Sequence, residues 1–155
     1  MKAKAYVFLL TVLCCSAFVH AQTKPAFDAA LAKKLGADDY GMRQYVMAFL
    51  KSGPTKITDK AEMIKLQMAH LENIERLAKE GKLALAGPFT DGKEIEGIFI
   101  FNVKTVEEAK ALTETDPGIK AGVFVMELHP FYCSAALVEV IAIHDKIQKK
   151  GITDR

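Results

Sequence analysis

Apolar and polar positions along the chain recur with two different periods, and the switches between those periods mark out its elements. In YGMRQYVMAFLKSGP, residues 40–54, Tyr45, Met47 and Phe49 fall on one side of an extended chain and Val46, Ala48 and Leu50 on the other, which is the period of a strand. Ser52-Gly53-Pro54 ends it. The spacing then lengthens: Met63, Ile64, Leu66, Leu71, Ile74, Leu77 and Ala78 recur at helical intervals, with Lys65, Glu72, Arg76, Lys79 and Glu80 opposite. Asp59 is the expected N-cap, with Glu62 three residues on. Gly81 stops the helix as a left-handed C′ residue.

KLALAGPF (82–89) and EIEGIFIFNV (94–103) read as two strands around a polar hairpin connection, TDGKE. TVEEAKALTETD (105–116) is a second helix, capped by Thr105 with Glu108, and Pro117-Gly118 cannot continue it. AGVFVMELHPFY (121–132) is the last core strand. The order is β-α-β-β-α-β, a split βαβ arrangement of the α+β class, ferredoxin-like in topology. Leu137, Val140, Ile141 and Ile147 give the stretch 134–150 a helical period, so a C-terminal helical extension is expected to lie on the outside or on a partner.

The chain of 155 residues suits one domain with a real core. The expected division is a signal peptide at 1–21, an N-terminal lead-in at 22–39 with a helical turn or two near 26–35, the α+β domain at 40–133, and the helical tail at 134–155. The leader follows from Lys2 and Lys4, the apolar run from Tyr6 to Val19, and the small-x-small triplet Val19-His20-Ala21. Thr11-Val12-Leu13 before Cys14 lacks a lipoprotein's small residue. Cleavage after Ala21 is expected to release a secreted or periplasmic chain beginning at Gln22, with no membrane segment in its mature form.

Cleavage changes the charge. Lys2 and Lys4 are two of the 21 basic residues, so 21 − 2 = 19 remain against 19 acidic ones. A neutral chain without an arginine-rich stripe has no electrostatic footprint for nucleic acid. Of the three cysteines only Cys133 survives, which rules out an internal disulfide and makes burial its expected state.

Two features speak to partners and chemistry. GIFIFNV is apolar on both faces, with Ile98 and Ile100 against Phe99, Phe101 and Val103. A sheet with both helices on one side leaves the other bare, and a homodimer through that face is expected. The alternative cover is the lead-in or the tail folding back. On an ideal helix turning by about 100° per residue, His70 falls between Leu66 and Leu77 on one flank and Met63 and Ile74 on the other, inside the apolar arc. A buried imidazole needs an acceptor or a function. Asp116, at the end of the second helix, is a candidate partner, and a His–Asp pair fixes the tautomer for general-base work. Spacing alone leaves open a plain helix-stop aspartate and a satisfied core histidine.

AHLENIERLAKEGKLALAGPF followed by TETDPGIKAGVFVMELHPFY makes residues 42–137 resemble the YCII-related (YciI-like) family. The resemblance implies a dimeric α+β barrel, in which ferredoxin-like domains pair through their sheets. It also implies an active-site dyad at His70 and Asp116, and at least one similar protein is a dehydrochlorinase acting on a chlorinated, hydroxylated aromatic ring. The leader and the longer ends depart from the compact family pattern. Tyr45, Phe49, Ser52, Gly87 and Pro88 are the expected pocket residues. Glu127 and His129 share a strand face but lack a third ligand, so no metal site is expected, and no cofactor. His144-Asp145 is expected to be a solvated pair. The expected function is proton transfer of the lyase or isomerase type on a small cyclic or aromatic compound. A non-catalytic, small-ligand-binding or stress-related dimeric module is the alternative.

Overall fold

The computed structural model describes residues 25–154. The expected leader and its cleavage point at Ala21 lie outside the described residues. The chain runs through α1 (Ala29–Leu35), β1 (Met42–Ser52), α2 (Lys60–Lys79), β2 (Leu83–Pro88), β3 (Ile95–Phe101), α3 (Val106–Thr113), α4 (Pro117–Lys120), β4 (Phe124–Ser134), a 3-10 helix (Ala135–Glu139) and α5 (Val140–Ile147). The sheet order is β2-β3-β1-β4, every neighbouring pair is antiparallel, and the topology is the ferredoxin-like split βαβ.

The caps behave as their chemistry requires. Asp59 accepts from the Glu62 N–H at 2.9 Å, and Thr105 forms a full capping box with Glu108. The second helix differs from expectation. It ends at Thr113, and Pro117 opens the separate helix α4 instead of only stopping the first. Proline suits the first helical position because its missing N–H would have no intrahelical partner there.

The strand period divides the core in two. Val46, Ala48 and Leu50 point to the helix side, where they pack with Phe99, Phe101, Leu77 and Ala109. Tyr45 and Ile100 point the other way and pack with Ala84, Leu137, Val138 and Cys133. Part of the sheet's second face is therefore covered by the tail, which turns over it after Ser134. The tail is a 3-10 turn followed by a short helix, not one continuous helix. Met47, Phe49 and Ile98 stay half-buried, and Val125 and His129 are exposed. Cys133 is a free thiol, half-buried rather than fully buried. Among the described residues no helix is long and apolar enough to cross a membrane.

One close approach ties the end of β1 to the start of β4. Gly53 N–H donates to Val123 O at 2.6 Å and Thr55 N–H to Gly122 O at 3.0 Å. A Cβ on Gly53 would collide with the Gly122 carbonyl, so only glycine fits there. Gly53→Ala is expected to lower stability by about 2 kcal/mol or more, because the obstacle is backbone and cannot rotate away; chemical denaturation checks this.

Candidate active site

α2 brings His70 to the helix-side core and the turn between α3 and α4 brings Asp116 against it. His70 is 3% exposed and Asp116 1%, and Nδ1 of the imidazole lies 2.8 Å from Oδ2 of the carboxylate. That carboxylate is fully occupied. Its Oδ2 also accepts from Asn73 Nδ2 at 3.2 Å. Its Oδ1 accepts from the Gly118 N–H at 2.8 Å and the Ile119 N–H at 3.3 Å, capping α4. A carboxylate so placed only accepts, so Nδ1 of His70 must carry its proton. Nε2 is then the ring's one remaining polar atom, an acceptor in the neutral imidazole.

A second layer holds the first. Arg76 Nη2 donates to Asn73 Oδ1 at 2.7 Å and to Thr115 Oγ1 at 2.8 Å, while Nη1 reaches Glu80 at 2.8 Å. Because Asn73 receives Arg76 on its oxygen, its amide NH₂ must face Asp116. The imidazole itself is wedged between aromatic rings, with Phe124 at 5.0 Å and Phe99 at 6.1 Å between centroids.

His70 borders a cavity of about 320 Å³, whose walls include Leu50, Leu71, Phe99 and Phe124. Gln67 and Glu96 add polar groups to the lining. Of the expected pocket residues, Gly87 and Pro88 line this cavity. Ser52 stands behind it, donating its hydroxyl to Glu96. Tyr45 and Phe49 do not belong to it. Both sit at strand positions that face away from α2, and the lining residue from β1 is Leu50, on the opposite parity. Tyr45 gives its hydroxyl to Ser134 O at 3.0 Å, and burial pushes its phenol above the ordinary value. Phe49 meets His129 edge-on at 5.6 Å.

The Glu127–His129 pair also forms, with Nε2 and Oε1 at 2.8 Å, on the sheet's second face. Lys51 joins it at 2.8 Å, and the hydrogen bonds from Lys51 and then His129 hold the Glu127 carboxyl below its ordinary value. Among the described residues no three His, Cys, Asp or Glu side chains come together as a metal site. Asn73, Arg76, Gln67, Glu96 and Phe124 were not expected at the site. Asn73 carried the same signal as His70, a polar residue inside the apolar arc three positions further along the helix.

A family model described as the YCII-related domain matches residues 44–132. No curated protein matches the chain. Among solved structures, the chain is similar to 5-chloro-2-hydroxyhydroquinone dehydrochlorinase (TftG) from Burkholderia phenoliruptrix AC1100 in complex with 2,5-dihydroxybenzoquinone. The two are 25% identical with a TM-score of 0.41, over 57% of this chain and 93% of that one.

Asn73→Ala removes one donor from Asp116 and one acceptor from Arg76, which keeps Thr115 and Glu80. It is expected to cost about 1–3 kcal/mol of stability, the range for a buried polar group left without its partner, read as a shifted denaturant midpoint at unchanged slope.

Proposed function

The chain belongs to the YCII-related family, and we propose that it holds a small, flat molecule in the His70 cavity and moves a proton on it. His70 Nε2 is the base. Asp116 keeps the ring in the required tautomer and stabilises the imidazolium formed when the proton arrives. The single observation that carries this reading is the dyad's placement: a pair nearly sealed from water whose histidine nonetheless lines a cavity. Phe99 and Phe124 give that cavity aromatic walls, which suit a ring-shaped ligand. Proton abstraction followed by loss or relocation of a group is lyase or isomerase chemistry, and it uses these two side chains without a nucleophile.

Two substitutions test the roles separately. His70→Gln keeps the size and polarity of the side chain but cannot take up a proton, and is expected to lower turnover of a responsive phenol or lactone by about 10²- to 10⁴-fold. Asp116→Asn turns an amide donor towards Nδ1 or loses the contact, and so favours the tautomer with Nε2 protonated. A comparable loss is expected, with the tautomer change read directly by imidazole ¹⁵N NMR. Turnover that survives His70→Gln would remove the imidazole from the chemistry. Ligand binding retained by His70→Gln with no turnover in either protein would favour the non-catalytic, ligand-holding module.

The same reading includes assembly and export. The half-buried Met47, Phe49 and Ile98 are the proposed face for a second copy. Lys2, Lys4 and the apolar run from Tyr6 to Val19 support the proposal that the mature chain is exported. Sedimentation of the chain from Gln22 onward at monomer mass would contradict the dimer, and an uncleaved N-terminus on the exported protein would contradict processing at Ala21.

A further inference from the structure

Beyond the matched residues 44–132 the chain carries on past the β2 edge, and there it encloses a second cavity. This groove of about 830 Å³ lies between α2, β2 and the tail, with Ala78 and Leu85 on the domain side and Val138, Val140 and Ile141 on the tail side. Ile74, Ala86 and Ile152 line both the groove and the His70 cavity. Those three side chains are therefore a common wall of the two spaces.

The segment after α5 brings Ile152 to that junction. Gly151 N–H donates to Asp154 Oδ2 at 2.7 Å, and Thr153 Oγ1 donates to Glu75 Oε1 on α2 at 2.8 Å. The tail is thus pinned at its far end, yet Ile152 is 53% exposed and α5 contains no buried residue. An apolar helix held over an apolar groove without filling it leaves surface that an occupant would take out of water. The groove's size is that of a small-molecule site, about 300–1,000 Å³. Its charged lining is Glu75, Asp145 and Asp154 against Lys79, an acidic balance that disfavours an anionic arm and leaves a neutral one to the apolar walls. It adjoins the His70 cavity across Ile152, which is 53% exposed and so not packed shut, and this adjacency points to one ligand across both.

We propose that the C-terminal extension adds an apolar subsite to the His70 cavity. The ligand then has a proton-bearing polar head at His70 and a hydrocarbon arm that passes Ile152 into the groove. This rests on the reading of His70 as the base of a ligand pocket, and it specifies the ligand further.

The probes are phenol, 4-butylphenol and 4-octylphenol, measured by titration calorimetry and by the change each causes in the imidazole ¹⁵N resonances of His70, a readout that needs no reagent to reach a ring only 3% exposed. Affinity is expected to rise at least about 30-fold from phenol to 4-octylphenol, since each methylene leaves water for an apolar wall. Ile141→Lys should cut that gain below about threefold by placing a charge in the groove. Ile152→Trp should do the same by blocking the junction, and it serves if Ile141→Lys does not fold. Ile143→Lys, which does not line the groove, should keep the full gain. A shift of the His70 resonances without dependence on chain length, or a gain that both groove variants retain, would overturn the subsite and leave the pocket reading standing. A dimer that Ile141→Lys converts to monomer would also overturn it, because a second copy would then be what covers α5. Failure of every probe to bind or to move the His70 resonances would remove the pocket reading and the subsite with it.

Discussion

Asp116 meets two structural demands with one carboxylate. Its Oδ1 ends the backbone N–H groups of α4, and its Oδ2 takes His70 and Asn73 from α2. A buried anion without partners is severely penalised, so these donors are the condition on which the turn between α3 and α4 can sit inside the core. Because they come from two separate helices, the carboxylate cannot drift without giving up bonds to one of them. His70 inherits that rigidity. The same crowding explains Gly118: a Cβ there would stand 2.5 Å from Phe124 Cδ2 and 3.1 Å from Asp116 Oδ1, displacing both the ring and the carboxylate that flank the imidazole.

The molecule contains its own comparison for what burial does to such a pair. His129 and Glu127 reproduce the 2.8 Å imidazole–carboxylate contact of His70 and Asp116, but on the exposed side of the sheet. There water competes for every donor and acceptor, and Lys51 shares the carboxylate. An exposed pair of this kind gains little and fixes little. The His70–Asp116 contact is buried, and the orientation of each group is dictated by the next: Arg76 sets the Asn73 amide, Asn73 and the α4 backbone set Asp116, and Asp116 sets the imidazole. Fully satisfied buried networks specify one arrangement for this reason. The guanidinium end of the chain stays half-exposed beside Glu80, so its charge is not itself carried into the core.

Element order was legible in the sequence because period and caps agreed at each boundary. Asp59, Gly81 and Thr105 announce helix ends by local chemistry alone. α4 was not legible, since Asp-Pro-Gly reads as a stop and only the Asp116 side chain, turned onto the next two N–H groups, makes it a start. His70 and Asp116 stood out as a polar residue inside an apolar arc and a carboxylate at a helix end. Tyr45 and Phe49, expected at the pocket, do not line the His70 cavity, because the strand's parity decides which wall they can reach. That information was already present in Val46, Ala48 and Leu50, the set that faces the helices. Ile152 could not have been found from spacing. Nothing local to GITD says that the chain returns to α2, and the return depends on Glu75, which is remote in sequence.

The tail has a simpler use that must be weighed against the subsite. β2 is an edge strand in the order β2-β3-β1-β4, and an exposed edge invites pairing with other chains. Covering it would be reason enough for a helix to lie alongside. Edge cover, however, needs only bulk or charge near the unpaired backbone groups, and it is served best by close packing. The tail packs against Ala84 of β2 through Leu137 and Val138 but stands off beyond them, with Val140 and Ile141 lining open space. Its last turn is fastened to α2 by Thr153 rather than to β2. A segment selected only to shield an edge would have no need of an anchor on the helix that carries His70, nor of an isoleucine at the junction of two cavities. The anchor, the stand-off and the shared wall have a common explanation if what fills the gap is a molecule that also reaches the imidazole.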